Sequence, residues 1–527
     1  MPMQPDRRLF LLGAARLAAA AGAAGSRLVD AAPANRAGYP FSLGVASGSP
    51  LPDSVILWTR ILPDPLDSAS SPRLAVPLRW EVAHDEGFRR IAAKGSIVAT
   101  PELAHSVRVN VTGLQPARWY WYRFMLGDAV SPAGRTRTAP APGSMPDLLK
   151  LAVASCQHWE FGSYAAHRHI AQANPDLVAF LGDYIYEWGA YQLRHPQRAV
   201  RRDESFTLDD YRRRYAQYKS DPDLQAAHLA APWIVTWDDH EVANDYAAGR
   251  DERLSADFMR RRGAAYQAFY EHMPLRLPPP KSFASVRMFQ RLDWGRLVRF
   301  HVLDDRQYRA LQACPRPGAG GSSSATPRAC PALLDPKRSM LGREQEAWLE
   351  AGLRSSRARW NILAQQTLMA QSTQVPLAQD GGRFWTDGWD GYPAARKRLL
   401  DTLAASRAAN PLVLGGDVHT FYAAELRLDA ARAPSKRNPV LATEFVGTSV
   451  TSSSRPQQRT LEYVAMNPHI RYGRSDRRGY MLLEVRPHAT QTYFMGLDDV
   501  RDARTPVRAL AAFRVEHGKA GVEIISA

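Results

Sequence analysis

The sequence predicts a layered α/β fold, a β-sandwich flanked by helices, preceded by a small all-β domain of immunoglobulin or fibronectin type. Three observations carry that reading. Up to about residue 140, apolar residues fall in short alternating runs, the pattern of strands with one buried face. From residue 148 onward, continuous apolar runs of strand length alternate with helical segments, as strands covered on both faces do. Between the two, Ala139-Pro140-Ala141-Pro142-Gly143-Ser144 has the composition of a linker. At 527 residues the chain is also longer than one hydrophobic core usually organises. The expected boundaries are 1–34 for a targeting segment, 39–140 for the all-β domain, 148–510 for the α/β domain and 511–527 for a C-terminal extension.

The targeting segment comes first. In Asp6-Arg7-Arg8-Leu9-Phe10-Leu11, paired arginines precede a moderately apolar, Ala-rich run from Leu9 to Ala24, and Ala32-Pro33-Ala34 supplies small residues for cleavage. This is the pattern of a twin-arginine signal. It predicts the twin-arginine export machinery as a partner of the precursor, and a periplasmic or extracellular location. The run is short and weakly apolar for a bilayer span, and no other stretch is long and apolar enough.

In the all-β domain, 54–58, 78–82, 106–111 and 119–124 alternate with period two, and Gly113-Leu114-Gln115-Pro116 turns the chain ahead of the aromatic strand. None of these runs suggests chemistry. In the α/β domain, buried strands are expected at 149–154, 177–181, 233–237, 298–303, 360–364 and 411–414, each followed at once by polar residues. Loops at strand ends are where a layered α/β sheet presents functional groups.

Lys and Arg number 68 against 52 Asp and Glu, a formal charge of +16 that favours anionic partners. The basic residues are scattered (Arg168, Arg198, Arg260, Arg396, Arg478) rather than gathered into one tract, so no stable nucleic-acid complex is expected; the chain is expected to be a monomer. Of the three cysteines, Cys314 and Cys330 flank a Gly/Ser/Pro-rich loop that a disulfide could close in an oxidising space. Cys156 is left over, in Ala154-Ser155-Cys156-Gln157 at a strand end. It reads either as a poised thiol or as a small buried hydrophobe.

Taken in order, the strand ends carry Cys156; Asp183 with Tyr186; Asp238, Asp239 and His240; Asp304, Asp305 and Arg306; and Asp417 with His419. Any one of these is unremarkable as a solvated turn. The whole set in matching positions points to one site. The two oxygens of Asp183 can bridge two cations, and the three-residue step to Tyr186 lets the phenol reach the same ion. Phenolate and thiolate suit Fe3+, whereas carboxylates suit hard divalent ions such as Ca2+, so a mixed iron and calcium site is expected.

These motifs resemble the PhoD family of alkaline phosphatases and phosphodiesterases, within the calcineurin-like and purple-acid-phosphatase-like metallophosphoesterases. Gly182-Asp183-x-x-Tyr186 matches a Gly-Asp-x-x-Tyr motif of the purple acid phosphatases. Asp238-Asp239-His240-Glu241 stands in the place of their Gly-Asn-His-Glu, and Gly416-Asp417-Val418-His419 in the place of Gly-His-x-His. Ser155-Cys156-Gln157, the run from Phe41 to Gly48, the run from Leu303 to Arg309 and Met340-Leu341-Gly342 are also family-like. The resemblance implies an exported hydrolase of phosphodiesters and phosphomonoesters at alkaline pH, with in-line attack by a metal-activated water. Its substrate would be a phosphate ester, with a phospholipid or an anionic cell-wall polymer such as teichoic acid as alternatives. The other class of reading is a non-catalytic, metal-stabilised binding protein.

By position, the resemblance gives Cys156, Asp183, Tyr186 and His419 to the iron, and Asp183, Asp239 and Asp417 to the calcium side, with His240 on the phosphoryl group. Arg306 is either a bidentate phosphate clamp or an ion-pair partner of Asp304 or Asp305. Asp305 itself departs from the family, which has Thr there; an unpaired carboxylate beside the pocket would weaken anion binding. Asn244 and Asp245 read as turn formers, with a supporting or calcium-binding role as the alternative, Glu187 as an exposed loop glutamate, and His158, His167, His169 and His301 as structural. Trp188, Trp385 and Trp389 read as core residues with a cleft role as the alternative.

Overall fold

The computed structural model describes residues 38–65, 67–189, 198 and 203–526, and the twin-arginine segment at 1–34 lies outside them. Among the described residues, no helix is long and apolar enough to cross a membrane.

The N-terminal strands are β1 (Val45–Leu51), β2 (Ser54–Arg60), β3 (Val76–Ala83), β4 (Ile91–Ala99), β5 (Ser106–Val111), β6 (Trp119–Leu126), β7 (Ala129–Val130) and β8 (Gly134–Arg137). β3, β4, β6, β7 and β8 form one antiparallel sheet, and β1, β2 and β5 pair in another. Val55, Leu57, Leu78, Val82, Tyr120 and Phe124 fill the space between them, which is the inward half of each alternating run.

That sandwich is not free-standing. In the α/β part, β9 (Leu149–Ala154), β10 (Leu177–Leu181) and β11 (Trp233–Thr236) run parallel, and β1 pairs with β11 at Gly48 and Trp233. One sheet of the N-terminal sandwich is therefore the edge of a ten-stranded sheet. The second large sheet contains β12 (Gln290–Trp294) and β13 (Val298–Val302). Next in the chain is the two-residue β14 (Ser324–Ala325), in the loop that the Cys314–Cys330 disulfide closes. β15 (Trp360–Ala364) joins β13 in parallel, β16 (Phe384–Trp385) pairs with β14, and β17 (Pro411–Gly415) joins β15 in parallel. β18 (Phe421–Leu426), β19 (Ala442–Val446) and β20 (Ile470–Arg474) complete it.

The chain then returns to the first sheet. β21 (Gly479–Val485) pairs antiparallel with β9, and β22 (Ala489–Leu497), β23 (Val507–Glu516) and β24 (Lys519–Ser526) extend the sheet outward. Residues expected as a C-terminal extension thus supply the end of β23 and all of β24, and Ala511 and Phe513 are buried in the core.

Two cores share the alternation within each parallel strand. Leu149, Leu151 and Val153 of β9 and Leu177, Ala179 and Leu181 of β10 face Ile362, Ala364, Leu412 and Leu414 of the opposite sheet. Ala152, Ala154, Val178 and Phe180 point the other way, onto α1 (Ala165–Ala173), α2 (Leu208–Lys219), α3 (Pro222–Ala230) and α4 (Phe258–His272). Leu363 and Val413 point onto α5 (Gly342–Arg354) and α6 (Pro393–Ser406). Because both faces are covered, these strands read as unbroken apolar runs, and each buried Leu contributes about 1.5–3 kcal/mol. The result is a helix–sheet–sheet–helix stack with α7 (Gln457–Met466) beside β20.

Candidate metal centre

The parallel strands β9, β10 and β11 of one sheet and β13, β15, β17 and β19 of the other carry their polar loops at their C-terminal ends. Cys156 follows β9 by two residues, Asp183 follows β10 by two, Asp238 follows β11 by two, and Asp417 follows β17 by two. The turns that make this possible are tight. Gly182 has φ +100°, and a Cβ there would come within 2.4 Å of the Asp238 Cβ; a Cβ on Gly416 would meet Ser155 Oγ at 2.3 Å. Cys156, Asp183, Asp417 and His419 all sit in the left-handed region, at φ +62°, +57°, +61° and +52°. Such conformations cost of order 1–3 kcal/mol each for a non-glycine residue, and they persist where function and surrounding structure hold them.

Side-chain donor atoms of Cys156, Asp183 and His419 lie within 4.8 Å of one another. The same holds for Asp183, Asp239 and His240, and for Asp238, Asp239 and Asp417, so Asp183 and Asp239 are each shared between two groups. Tyr186 closes the first group: its hydroxyl donates to Asp183 Oδ2 at 2.9 Å and lies 3.2 Å from His419 Nε2. Ser452 donates to that phenol oxygen at 2.7 Å. The imidazole of His419 is oriented by Nδ1 donating to Ser453 O at 2.6 Å, which leaves Nε2 toward the group.

The electrostatics fit cations. Burial, then the neighbouring carboxylates, drives Asp183 and Asp238 well above the usual carboxylate range. Asp417 is raised likewise, with burial first, although Arg306 works against the shift. Burial and then Asp183 also push the Cys156 thiol and the Tyr186 phenol up. Asp238 Oδ2 is buried with no hydrogen-bond partner. Buried carboxylate, thiol and phenol donors converging on one place are the set that a bound cation stabilises by taking the charge of each deprotonated form. His419 is held neutral, its pKa lowered to about 3 by burial and then by Arg478, which is the form that ligates.

His240 has a different environment. Its Nδ1 lies 2.7 Å from Glu187 Oε2, and its ring stacks on Tyr186 at 4.1 Å between centroids. Burial opposes its charge, but Glu187, Asp239 and Asp183 outweigh that and raise its pKa well above the ordinary value. Glu187 is therefore not the exposed loop residue its position suggested. It is 2% exposed, and its other oxygen accepts the Asn244 N–H at 2.7 Å. Its adjacency to Tyr186 in the motif loop was the available signal.

Arg306 also needs correction. It is buried, its Nε donates to Asp238 Oδ1 and its Nη1 to Asp387 Oδ2, while Nη2 faces Asp239 Oδ1 at 3.3 Å and Asp417 Oδ1 at 3.6 Å. Nε and Nη1 are taken by carboxylates and Nη2 lies among those of Asp239 and Asp417, so the guanidinium balances the charge of the aspartates. Its guanidinium does not pair with Asp304 or Asp305, although its backbone N–H donates to Asp304 Oδ1 at 3.2 Å. Asp387, which the motifs do not reveal, ties Arg306 to Arg309 and Gln312. Asp305 is fully buried, with its pKa pushed up to about 7 by burial and then by Asp304, and it does not line the cleft described below.

Several neighbours work through their backbone or as braces. Glu241 accepts the N–H groups of Asp183, Tyr184 and Asp238 at 3.0, 2.6 and 2.8 Å and so locks two loops together. Asp245 donates its N–H to Asp239 Oδ2 at 2.7 Å. Thr367 donates to Asp417 Oδ2 at 2.6 Å. His158, buried and 3.0 Å from Glu160, packs its ring 4.4 Å from that of Tyr186, in keeping with a structural role. A cavity of about 420 Å³ opens on Asp417 and His419 and gives the site its access.

Comparison with known proteins agrees with this geometry. A family model described as PhoD-like phosphatase matches residues 151–494, and one described as PhoD-like phosphatase, N-terminal domain, matches residues 27–140. Alkaline phosphatase D of Bacillus subtilis (strain 168) is 42% identical over 539 aligned residues, covering 99% of this chain and 89% of that protein. The solved structure of PhoD superposes with a TM-score of 0.87 at 42% identity, over 94% of this chain and 93% of the other. The purple acid phosphatase PPD1 from yellow lupin (Lupinus luteus) seeds shares the fold at 13% identity, with a TM-score of 0.56 over 90% of this chain and 73% of that one.

Proposed function

Because the chain belongs to the PhoD-like phosphatase family and is a phosphoric ester hydrolase, we propose that it is an exported, metal-dependent enzyme that cleaves phosphodiesters and phosphomonoesters at alkaline pH. The observation that carries this reading is the meeting of three overlapping donor groups, one of which includes His240, an imidazole that Glu187 engages at Nδ1. A purely structural metal site has no use for such an imidazole.

Cys156, Asp183, Tyr186 and His419 would hold Fe3+, the donors being thiolate, carboxylate, phenolate and imidazole. Asp239 and Asp417, with Asp183 shared, would hold Ca2+. When bound, the cations supply an activated water and offset charge on the phosphoryl oxygens. The chain's own residues do the rest. Glu187 engages Nδ1 of His240, so Nε2 is the atom left to donate to a phosphoryl oxygen, and the Tyr186 ring beneath keeps the imidazole from swinging. Ser452, Ser453 and Glu241 hold the donors where the substrate meets them, so little reorganisation is needed as charge builds.

Export by the twin-arginine route rests on Arg7-Arg8 and is supported by the Cys314–Cys330 disulfide, a bond suited to an oxidising compartment. Replacing Arg7 and Arg8 by Lys should retain the precursor in the cytoplasm; undiminished export would remove this part of the reading. For the reaction, natively exported protein is subjected to elemental analysis and assayed on bis(p-nitrophenyl) phosphate and p-nitrophenyl phosphate. Turnover of both with iron and calcium present is expected, and His240→Ala should lose turnover while keeping its metals. Full metal content with no hydrolysis of either ester would favour the binding-protein reading.

A further inference from the structure

The cavity that opens on Asp417 and His419 extends past them to Trp385, Ser454, Arg455 and Tyr463. Arg455 stands two residues after Ser453, whose carbonyl accepts from His419 Nδ1, and one after Ser454, whose hydroxyl lies 3.1 Å from Thr420 Oγ1. The segment that carries Arg455 is therefore tied directly to the metal-donor loop. Its guanidinium sits over the Tyr463 ring, 5.2 Å from the centroid, a buried ring that it shares with Arg459 at 4.8 Å. Among the described residues, no carboxylate lies within ion-pairing distance of Arg455.

The rest of the lining does not cancel that charge. Asp390 is the other acidic residue in the cavity besides Asp417, and it is occupied: Arg396 Nη1 donates to its Oδ1 at 2.5 Å and the Ser372 N–H to its Oδ2 at 2.8 Å. Asp417 belongs to the metal donors and is braced by Thr367. Arg455 also immediately precedes Pro456, the N-cap of α7, whose first turn has no acidic residue, so the positive helix end adds to the guanidinium rather than opposing it. Beyond this ring contact the Arg455 guanidinium makes no hydrogen bond among the described residues, so its N–H groups are free for an anion.

We propose that this cavity is a second anion subsite, in which Arg455 binds a negatively charged group on the alcohol portion of the ester whose phosphorus sits at the metal centre. The preferred substrates are esters whose alcohol carries a carboxylate or a further phosphate, and Arg455 is a substrate-binding residue that sets this preference. The inference rests on the phosphoesterase reading above.

Three esters with similar alcohols separate the cases: glycerol 3-phosphate, 3-phosphoglycerate and glycerol 1,3-bisphosphate. In the wild-type enzyme, kcat/KM for the two anionic esters should exceed that for glycerol 3-phosphate by about fivefold, chiefly through KM, as one half-exposed ion pair supplies. The carboxylate and phosphate arms show which anion is taken. In Arg455→Ala the ratio should fall to about one, and Arg455→Lys should keep part of it. A ratio compares two substrates in one preparation, so partial misfolding cancels. Should the variants fail to fold, raising the ionic strength from about 0.02 M to about 0.5 M must erode the wild-type preference. A wild-type ratio of one, an unchanged ratio in Arg455→Ala, or a salt-insensitive preference would each overturn the subsite while leaving the phosphoesterase reading intact. Absence of turnover on all three esters and on the nitrophenyl esters would overturn both.

Discussion

Replacing Glu187 by Gln tests whether His240 acts through its carboxylate partner. In the structure, both Glu187 oxygens accept: one faces His240 Nδ1 at 2.7 Å and the other takes the Asn244 N–H at 2.7 Å, and both side chains are buried. A glutamine has one acceptor. It can keep the Asn244 bond only by presenting its NH2 to His240, which forces Nδ1 to become the acceptor and the imidazole to be neutral. The donor at Nε2 survives, but its positive charge is lost, along with a buried charge-assisted hydrogen bond of about 1.5–3 kcal/mol. Spent at the transition state, that is a loss of about tenfold to hundredfold in kcat. KM should change much less, because the interaction is one that strengthens as charge builds on the phosphoryl oxygens. The assay is steady-state kinetics on bis(p-nitrophenyl) phosphate, with iron and calcium measured in the same sample. In a His240→Ala background the second substitution should cost nothing further. Activity within about threefold of wild type, or an equal additional loss in the His240→Ala background, would refute the coupling.

The remaining expectations concern the donors, the loop and the core. Cys156→Ala should lose iron and any thiolate or phenolate charge-transfer colour, read by elemental analysis and visible absorption; unchanged iron stoichiometry would remove the thiolate from the site. Cys314→Ser with Cys330→Ser opens a loop whose closing residues are 16 apart, and should lower unfolding stability by about 3 kcal/mol in a urea titration. Because that loop also delivers the Ser322 N–H to Asp245 Oδ2 at 3.1 Å, and Asp245 in turn holds Asp239, calcium affinity should fall as well. Lys219 is fully enclosed, and burial lowers its pKa from 10.5 to about 7. Between those values the unfolded chain binds a proton that the folded chain does not, so Lys219 makes stability rise with pH from about 7 to about 10.5. The full shift is on the order of 4–5 kcal/mol, partly offset by the Trp58 ring 4.2 Å from Nζ, so about 3 kcal/mol of that rise should vanish in Lys219→Met.

The strands at the site were legible because their chemistry is local. Leu149–Ala154, Leu177–Leu181 and Trp360–Ala364 end where the unbroken apolar run ends, since both faces are covered along the whole strand and the loop begins at once. The convergence of Cys156, Asp183, Tyr186, Asp239, Asp417 and His419 was legible for the same reason, each standing a few residues past such a run. What failed depends on partners far away in the chain. Glu187 is buried because His240, 53 residues on, folds over it, and Arg306 is consumed by Asp387, 81 residues on. No local pattern encodes either distance. Ser452 sits in a run of serines and threonines that reads as a polar turn until Tyr186, 266 residues away, is placed against it. The strands β22 to β24 were missed because an antiparallel edge with one solvated face alternates polar and apolar residues weakly, as in Lys519–Ser526 with Ile524 and Ile525 exposed.

The reassignment of Arg306 changes what must hold an anionic substrate. Asp183, Asp238, Asp239 and Asp417 converge on the site, and Asp387 and Asp245 stand behind them. Against these the protein sets Arg306 and Arg309, both paired with Asp387, and Nη2 of Arg306 lies 3.3 Å from Asp239 and 3.6 Å from Asp417. With its carboxylates ionised and no cations bound, the pocket has an excess of negative charge and would repel the group it is meant to cleave. Under the proposed function, attraction at the phosphorus would come from the cations and from His240, and attraction further out from Arg455. Binding and catalysis would then share one dependence on metal. Arg306 fits this division: by compensating Asp238 and part of Asp239 and Asp417, it would limit the charge that bound cations have to neutralise, leaving more of theirs for the substrate.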